Sequence, residues 1–376
     1  MVRMMRWIAP VAVAGILVGG AVTVNAISAS AGSAGLPSRT AAQLLVDVEQ
    51  AKLTALSGTV VQSSDLGIPS VPGIGGTDSS SMTSLISGTH TLRVWYDGTD
   101  KSRIALLGSL GETDIIKDGA NLWTWSSKDN TATHRTLGST PTTDRSKNRA
   151  GAGLDPTDLP KTPQQAADAV LAAVDPSTVV GTEETGTVAG RSVYQLTLRP
   201  RTQTGSLIDS ISIAIDGTTH IPLRVQVLAV GQSTPAFQVA FSSVDFTAPD
   251  AAQFTFNPPP GAQITQEKSN AHRASSTATS PTADRGMPSR ATRPGLAGSA
   301  TRVVGTGWST VLIADSSSIP SAGRLGRVLA ALPRVSGSWG SGRVLAGTAF
   351  SMVIADKGNV AVGAVTPQKL YDALAK

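Results

Sequence analysis

Alternation with a period of two runs through most of the middle of this chain, and it limits the fold more than any other feature. In His90–Tyr96, Leu92, Val94 and Tyr96 fall on one side of an extended segment, and Thr91, Arg93 and Trp95 on the other. Asp97-Gly98 breaks the run and 101–108 resumes it. Segments 112–118, 121–127 and 131–137 follow, separated by Asp118-Gly119 and Lys128-Asp129-Asn130. Further on, Tyr194, Leu196 and Leu198 alternate with Gln195, Thr197 and Arg199, and Ile211, Ile213 and Ile215 with Ser210, Ser212 and Ala214. Asp216-Gly217 turns the chain, Leu223, Val225 and Val227 alternate with Arg224 and Gln226, and Phe237, Val239 and Phe241 form the last clear set. With a strand near 57–64, this predicts an antiparallel run of about ten short strands joined by turns, one face of it buried.

Little else is available to cover that face. An amphipathic helix is expected over 38–55, with Ser38 as cap and Leu44, Leu45, Val48 and Leu53 at near-helical spacing. After a polar loop at 138–160, a second helix is expected over 162–174, with Thr162 as cap and Pro163 at its first position. Between them, 65–88 is rich in Gly, Ser and Pro yet carries Leu66, Ile68, Val71, Ile74, Met82, Leu85 and Ile86. Two short helices and one loop cannot cover so wide a sheet while it stays flat. Curling the sheet around them solves the problem and can leave a cavity.

The rest of the chain divides by composition. Two arginines precede an apolar run at 7–24, and Ala29-Ser30-Ala31 follows, the order of a secretory signal peptide. At roughly 18 residues the run is also near the lower limit for a retained membrane anchor. Either way the remainder is expected outside the cytoplasm. Pro258-Pro259-Pro260 ends a first domain at 32–265. A linker at 266–300, Ser/Thr/Ala/Pro/Arg-rich with almost nothing to bury, reads as disordered. A small α+β domain is expected over 301–376, with strands near 303–314, 343–354 and 359–364, a helix near 322–332 and a final helix capped by Thr366. Residues 32–265 hold 16 basic and 21 acidic side chains, and 301–376 hold 8 and 3. Uneven sampling, docking of the basic tail on the acidic domain, and an anionic membrane facing the tail all fit that asymmetry. Nucleic acid does not suit an exported chain.

Catalytic chemistry is poorly provided for. The chain has 376 residues but no cysteine, which excludes disulfides, thiolate nucleophiles and zinc–thiolate sites. Four histidines (His90, His134, His220 and His272) show no ligand spacing, so no metal or cofactor is implied. No nucleophile-elbow, phosphate-loop, zincin or dinucleotide pattern occurs. Gly337–Gly342 reads as a flexible turn. Glu183-Glu184 points to opposite faces of a strand, and His220 is expected at an exposed strand start. The chain is expected not to be an enzyme.

The segment from Leu56-Ser57-Gly58-Thr59-Val60-Val61, through His90–Tyr96, to Asn121-Leu122-Trp123-Thr124-Trp125 resembles the LolA-like superfamily, as does Ile213-Ala214-Ile215-Asp216 followed by Ile221-Pro222-Leu223-Arg224-Val225. The similarity covers about 40–260 and is nearest to RseB/MucB-type regulators and actinobacterial LolA-like proteins. It rests on the order of elements and a few aromatic and Pro-Leu-Arg positions. The resemblance implies an α+β fold: an antiparallel half-barrel, or incomplete β-barrel, with helices on the concave face and an apolar cavity for acyl chains. RseB-type proteins add a smaller C-terminal domain that contacts an anti-sigma factor, and 301–376 fits that layout by position. The implied role is burial of the acyl chains of a lipid or lipoprotein, as carrier or sensor. The alternatives are a regulator binding an envelope membrane protein and a structural envelope protein without ligand. Candidate lining residues are Leu92, Val94, Trp95, Trp123, Trp125, Leu223, Val225 and Val227. The three tryptophans are expected on adjacent strands at a cavity mouth, and the 65–88 aliphatics form a candidate lid. Ordinary core packing is the competing account of every one of these positions.

Overall fold

The computed structural model describes residues 35–67, 79–137, 177–203, 205–267, 302–315 and 329–376. The expected signal or anchor segment, the 138–160 loop, the 162–174 helix, nearly all of the linker and most of the 322–332 helix lie outside these residues. Among the described residues no helix is long and apolar enough to cross a membrane.

The first helix, α1 (Ala41–Gln50), is shorter than its apolar spacing suggested, and Thr40 caps it in place of Ser38. Thr40 Oγ1 accepts from the Gln43 N–H, and Gln43 Oε1 accepts from the Thr40 N–H. This reciprocal pair satisfies two of the donors left free at a helix start. The chain has left the helix by Ala51, so Leu53 packs from an extended segment.

Eleven strands follow, ten on the segments marked by alternation and β7 besides: β1 (Ala55–Ser64), β2 (Gly88–Asp97), β3 (Lys101–Gly108), β4 (Gly111–Asp118), β5 (Asn121–Ser126), β6 (Thr131–Thr136), β7 (Thr178–Val188), β8 (Arg191–Pro200), β9 (Ile208–Asp216), β10 (Pro222–Ala229) and β11 (Phe237–Asp245). With β12 (Gln263–Glu267) they form one open sheet in the order β12-β6-β5-β4-β3-β2-β1-β11-β10-β9-β8-β7. The chain steps outward from β1 to β6, resumes at the far edge with β7, and returns strand by strand until β11 pairs with β1. All pairings are antiparallel except β12 on β6. β7 comes back into contact with β11, so this half of the sheet is coiled.

The β1–β11 seam joins the two halves. Its register shifts between Thr59 and Val60, leaving Ser242 as an extra residue whose hydroxyl donates to the Thr59 carbonyl at 3.2 Å. Gly58 sits beside this bulge, and a Cβ there would run into the Ser243 carbonyl and the Phe241 ring.

Pro258–Pro260 does not end the large sheet's sequence. Residues after β11 cross the sheet as a strap, pinned by Phe254 in a 3-10 turn (Ala251–Phe254) that packs on β3 and β4. The strap delivers β12 to the edge strand β6.

A second sheet holds β13 (Arg302–Val304), β14 (Val311–Asp315), β15 (Arg334–Gly337), β16 (Gly340–Ala346), β17 (Ser351–Ala355) and β18 (Asn359–Gly363) in the order β13-β14-β18-β17-β16-β15. The helix α2 (Pro367–Leu374) covers one face through Leu370 and Ala373, over Val311, Ile313, Val353 and Ala361. The strand expected near 303–314 is two strands, because Gly307–Ser309 forms a 3-10 turn. The stretch 343–354 likewise folds as β16 and β17. Gly337–Gly342 is a tight hairpin joining β15 and β16, not a loose turn, because Trp339 is buried and stacked on Tyr371 at 5.4 Å.

The two sheets are tied by backbone bonds and apolar packing. Leu207 N–H donates to the Ala364 carbonyl at 2.9 Å, Thr366 N–H to Gly205 at 2.9 Å and Thr348 N–H to Leu66 at 2.7 Å. Trp308 Nε1 donates to Thr178 Oγ1 at 2.8 Å, and Ala349 and Ala364 are buried in the large sheet's core.

Candidate functional site

Strand parity assigns each candidate residue to a face of the large sheet. On one face, Leu56 and Val60 of β1, Leu92 and Val94 of β2, Ile104 of β3, Phe237, Val239 and Phe241 of β11, and Leu223, Val225 and Val227 of β10 lie side by side. All belong to one apolar cluster. Five of the eight predicted lining residues are therefore brought together: Leu92, Val94, Leu223, Val225 and Val227. Leu223, Val225, Val227 and Val94 are buried and Leu92 is half-buried.

Three separate pieces roof this apolar face. α1 lies over β7 and β8, with Ala41 and Leu44 against Val180, Tyr194, Leu196 and Ile215. The second piece is 79–87, which contains the 3-10 turn Met82–Ile86. Gln62 Nε2 donates to the Leu85 carbonyl at 3.0 Å, Ser64 Oγ to the Ile86 carbonyl at 2.9 Å, and His90 Nε2 to the Ser87 carbonyl at 2.8 Å. These three polar side chains stand where the face would otherwise stay apolar, and each holds the loop's backbone. The third piece is the second sheet, through Ala349, Ala364 and Trp308. Of the candidate lid, Leu66 packs on the core cluster, Met82 and Leu85 are half-buried, and Ile86 is exposed. Ile68, Val71 and Ile74 lie outside the described residues.

The tryptophans occupy the opposite face, and they are not on adjacent strands. Trp95 is on β2 while Trp123 and Trp125 are on β5, with β3 and β4 between them. Trp95 is instead flanked by two guanidinium groups, Arg93 and Arg103, each 5.1 Å from its ring centre. Trp123 stacks on His134 at 4.3 Å, and Phe256 of the strap packs against Trp123 and Trp125 at 5.0 and 5.8 Å.

A groove of about 600 Å³ opens beside them, lined by Arg103, Glu112, Asp114, Ile116, Trp125 and Phe256 among others. Arg103 Nε donates to the buried Asp114 carboxylate at 2.8 Å, and its Nη2 to Glu112 at 3.4 Å. Burial and the adjoining Asp114 push the Glu112 carboxyl above its usual range, against the pull of Arg103 and Arg93. No single stretch of sequence marks this groove. Its signal was the parity shared by Arg103, Asp114 and Trp125, which only strand order converts into a cluster.

Glu183 and His220 lie apart from this groove. Glu183 accepts from Arg199 at 3.1 Å. His220 is half-buried at the β9–β10 turn, 3.9 Å from Asp47 of α1, and not exposed as expected. Among the described residues no group of three or more acids or histidines is placed to hold a metal ion.

No protein-family model matches the chain, and no curated protein does. Solved structures do. MucB in the MucA/MucB complex of Pseudomonas aeruginosa aligns at 15% identity and TM-score 0.39, over 89% of this chain and 96% of that one. A LolA superfamily protein from Nitrosomonas europaea aligns at 10% identity and TM-score 0.21, over 58% and 99%. An uncharacterised conserved protein from Thermus thermophilus aligns at 14% and 0.32, over 60% and 98%.

Proposed function

We propose that the protein is a non-catalytic, extracytoplasmic binder of acyl chains, taking those of a lipid or lipoprotein against the apolar face of its large sheet. One observation carries this reading: that face is continuous across β3-β2-β1-β11-β10, and among the described residues it is covered by the 79–87 piece and by side chains of the second sheet, while α1 packs on the neighbouring β7, β8 and β9. Lifting the 79–87 piece breaks a small set of side-chain-to-backbone bonds and leaves the sheet's own ladder intact. Beyond the polar Gln62, Ser64 and His90 that hold this piece, the floor is aliphatic and aromatic, as a dry acyl site requires. Each methylene buried contributes about 0.8 kcal/mol, so a chain of about fifteen methylenes offers roughly 12 kcal/mol to offset the opening. Leu92, Val94, Leu223, Val225 and Val227 serve as the floor and the 79–87 piece as the cover.

The test is native mass spectrometry and lipid extraction on the full chain, purified without detergent, followed by titration with a fluorescent fatty acid. The wild-type chain is expected to carry or take up one acyl ligand. Val225→Trp fills the floor and is expected to reduce uptake at least tenfold, with overpacking costing about 1–3 kcal/mol. Thermal melting of the variant separates blocked binding from unfolding. A wild-type chain that is free of lipid and indifferent to the probe would sink the reading.

A further inference from the structure

We propose that one rim of this protein, running from the large sheet onto the small one, docks on an anionic lipid bilayer. The inference rests on which apolar side chains the fold leaves uncovered. In an antiparallel sheet the ends of β1, β3 and β11's partner β10 point the same way as the starts of β2, β4 and β11. The β3–β4 turn, the entry to β2 and the β10–β11 turn therefore share one rim. Leu110 stands at the tip of the first of these, 88% exposed, Ile86 at the second, 37% exposed, and Val230 at the third, 48% exposed. They are distributed along the six adjacent strands β4-β3-β2-β1-β11-β10, a line of about 24 Å at ordinary strand spacing.

The line continues onto the second sheet. Val230 N–H donates to the Leu207 carbonyl at 2.9 Å, and Leu207 N–H donates to Ala364 at the end of β18. On the face of the second sheet turned away from α2, Val303, Leu312, Val362, Met352 and Leu345 are cross-strand neighbours over five consecutive strands. None belongs to the core beneath α2, and Val303 and Val362 are 61% and 37% exposed. Leu312, Met352 and Leu345 are half-buried between them, and with Leu110, Ile86 and Val230 they make an aliphatic surface suited to meet another apolar phase.

Two properties favour a bilayer over a protein as the occupant. The large-sheet residues stand on separate turn tips, a shape that enters a lipid interface better than it meets a flat partner. The charge also fits: Arg343 and Arg334 share the strand parity of Leu345 and Met352 and so stand on the same face as these aliphatics, with Asp356 beside Arg334. Apolar insertion combined with basic side chains is the usual physical basis of attachment to anionic headgroups.

The absence of cysteine makes the test clean. Leu110→Cys, Val230→Cys and Val362→Cys, each in the full chain, are labelled with a polarity-sensitive fluorophore, with Thr99→Cys on the opposite rim as control. Vesicles of phosphatidylcholine containing about a quarter phosphatidylglycerol are then added. Blue shifts at 110, 230 and 362 with none at 99 are expected, and weakening of roughly tenfold when phosphatidylglycerol is omitted. Three results would overturn the proposal: no shift at the rim positions, an equal shift at 99, or a shift that needs no vesicles and follows protein concentration, which would mark contact with a second copy. Fatty-acid uptake from vesicle-free solution is a separate reading, so this proposal and the acyl-binding one can fail independently.

Discussion

Asp216→Ala is expected to destabilise the large sheet by about 3–5 kcal/mol, the range for removing one partner of a buried charged pair. Asp216 is buried at the end of β9. Arg191 at the start of β8 reaches both of its oxygens, and Oδ1 also accepts from the Thr218 N–H at 3.1 Å, the Thr219 N–H at 2.7 Å and the Thr219 hydroxyl at 2.9 Å. One side chain thus locks the β8–β9 pairing, shapes the turn into β10 and holds Arg191 against Phe246 at 5.0 Å. Burial alone would raise the Asp216 carboxyl, but the bonds from Arg191, Thr219 and Thr218 outweigh it and hold it below the ordinary carboxylate range. A depressed native pKa stabilises the fold above the unfolded-state pKa, and that contribution is lost as pH falls through the native one. Urea titrations from neutral pH down to strongly acid pH should therefore show a steeper decline in the wild type than in Asp216→Asn. Equal acid slopes for the two proteins would contradict this account.

Phe254→Ala should cost about 3–5 kcal/mol, as expected for a fully buried aromatic whose site cannot collapse around the loss. The effect should also be directional. Phe254 is the anchor of the strap, so its loss should release Phe256 from Trp123 and Trp125 and weaken the β12–β6 pairing downstream. Tryptophan emission should shift to the red at denaturant concentrations where the far-ultraviolet signal of the remaining sheet persists. A single coincident transition at reduced stability would mean that the strap and sheet unfold as one unit.

Much of the large sheet was legible because burial on one face writes itself into alternate residues. Leu92/Val94/Tyr96 against Thr91/Arg93/Trp95 fixed both the strand and the two faces, and the structure keeps that division. Alternation does not encode which strand lies beside which. Trp95 and Trp123 share a parity, but two strands separate them, so the expected cluster of three tryptophans does not form. The strand β12 was invisible for a different reason: all five of its residues are exposed, so no burial pattern marks it, and the signal lies in a strap that must end somewhere on the sheet. The start of α1 was misplaced because Ser38 and Thr40 are both competent caps, and the capping box with Gln43 decides between them. The groove around Arg103 was missed because its parts come from β3, β4, β5 and the strap, more than 150 residues apart from Arg103 to Phe256.

The return of β11 to β1 governs the order in which the protein can be made. When the ribosome has completed β6, one side of β1 is already paired with β2, but its other edge waits for residues 237–245. Until then an unpaired strand edge flanked by apolar side chains lies open to other chains, a recognised aggregation hazard. Loop closure over so many residues also makes the seam a late and slow step. Chains that stall or are truncated before residue 245 therefore keep an adhesive edge in the middle of the sheet. For such intermediates, survival depends less on final stability than on the time that edge remains unpaired.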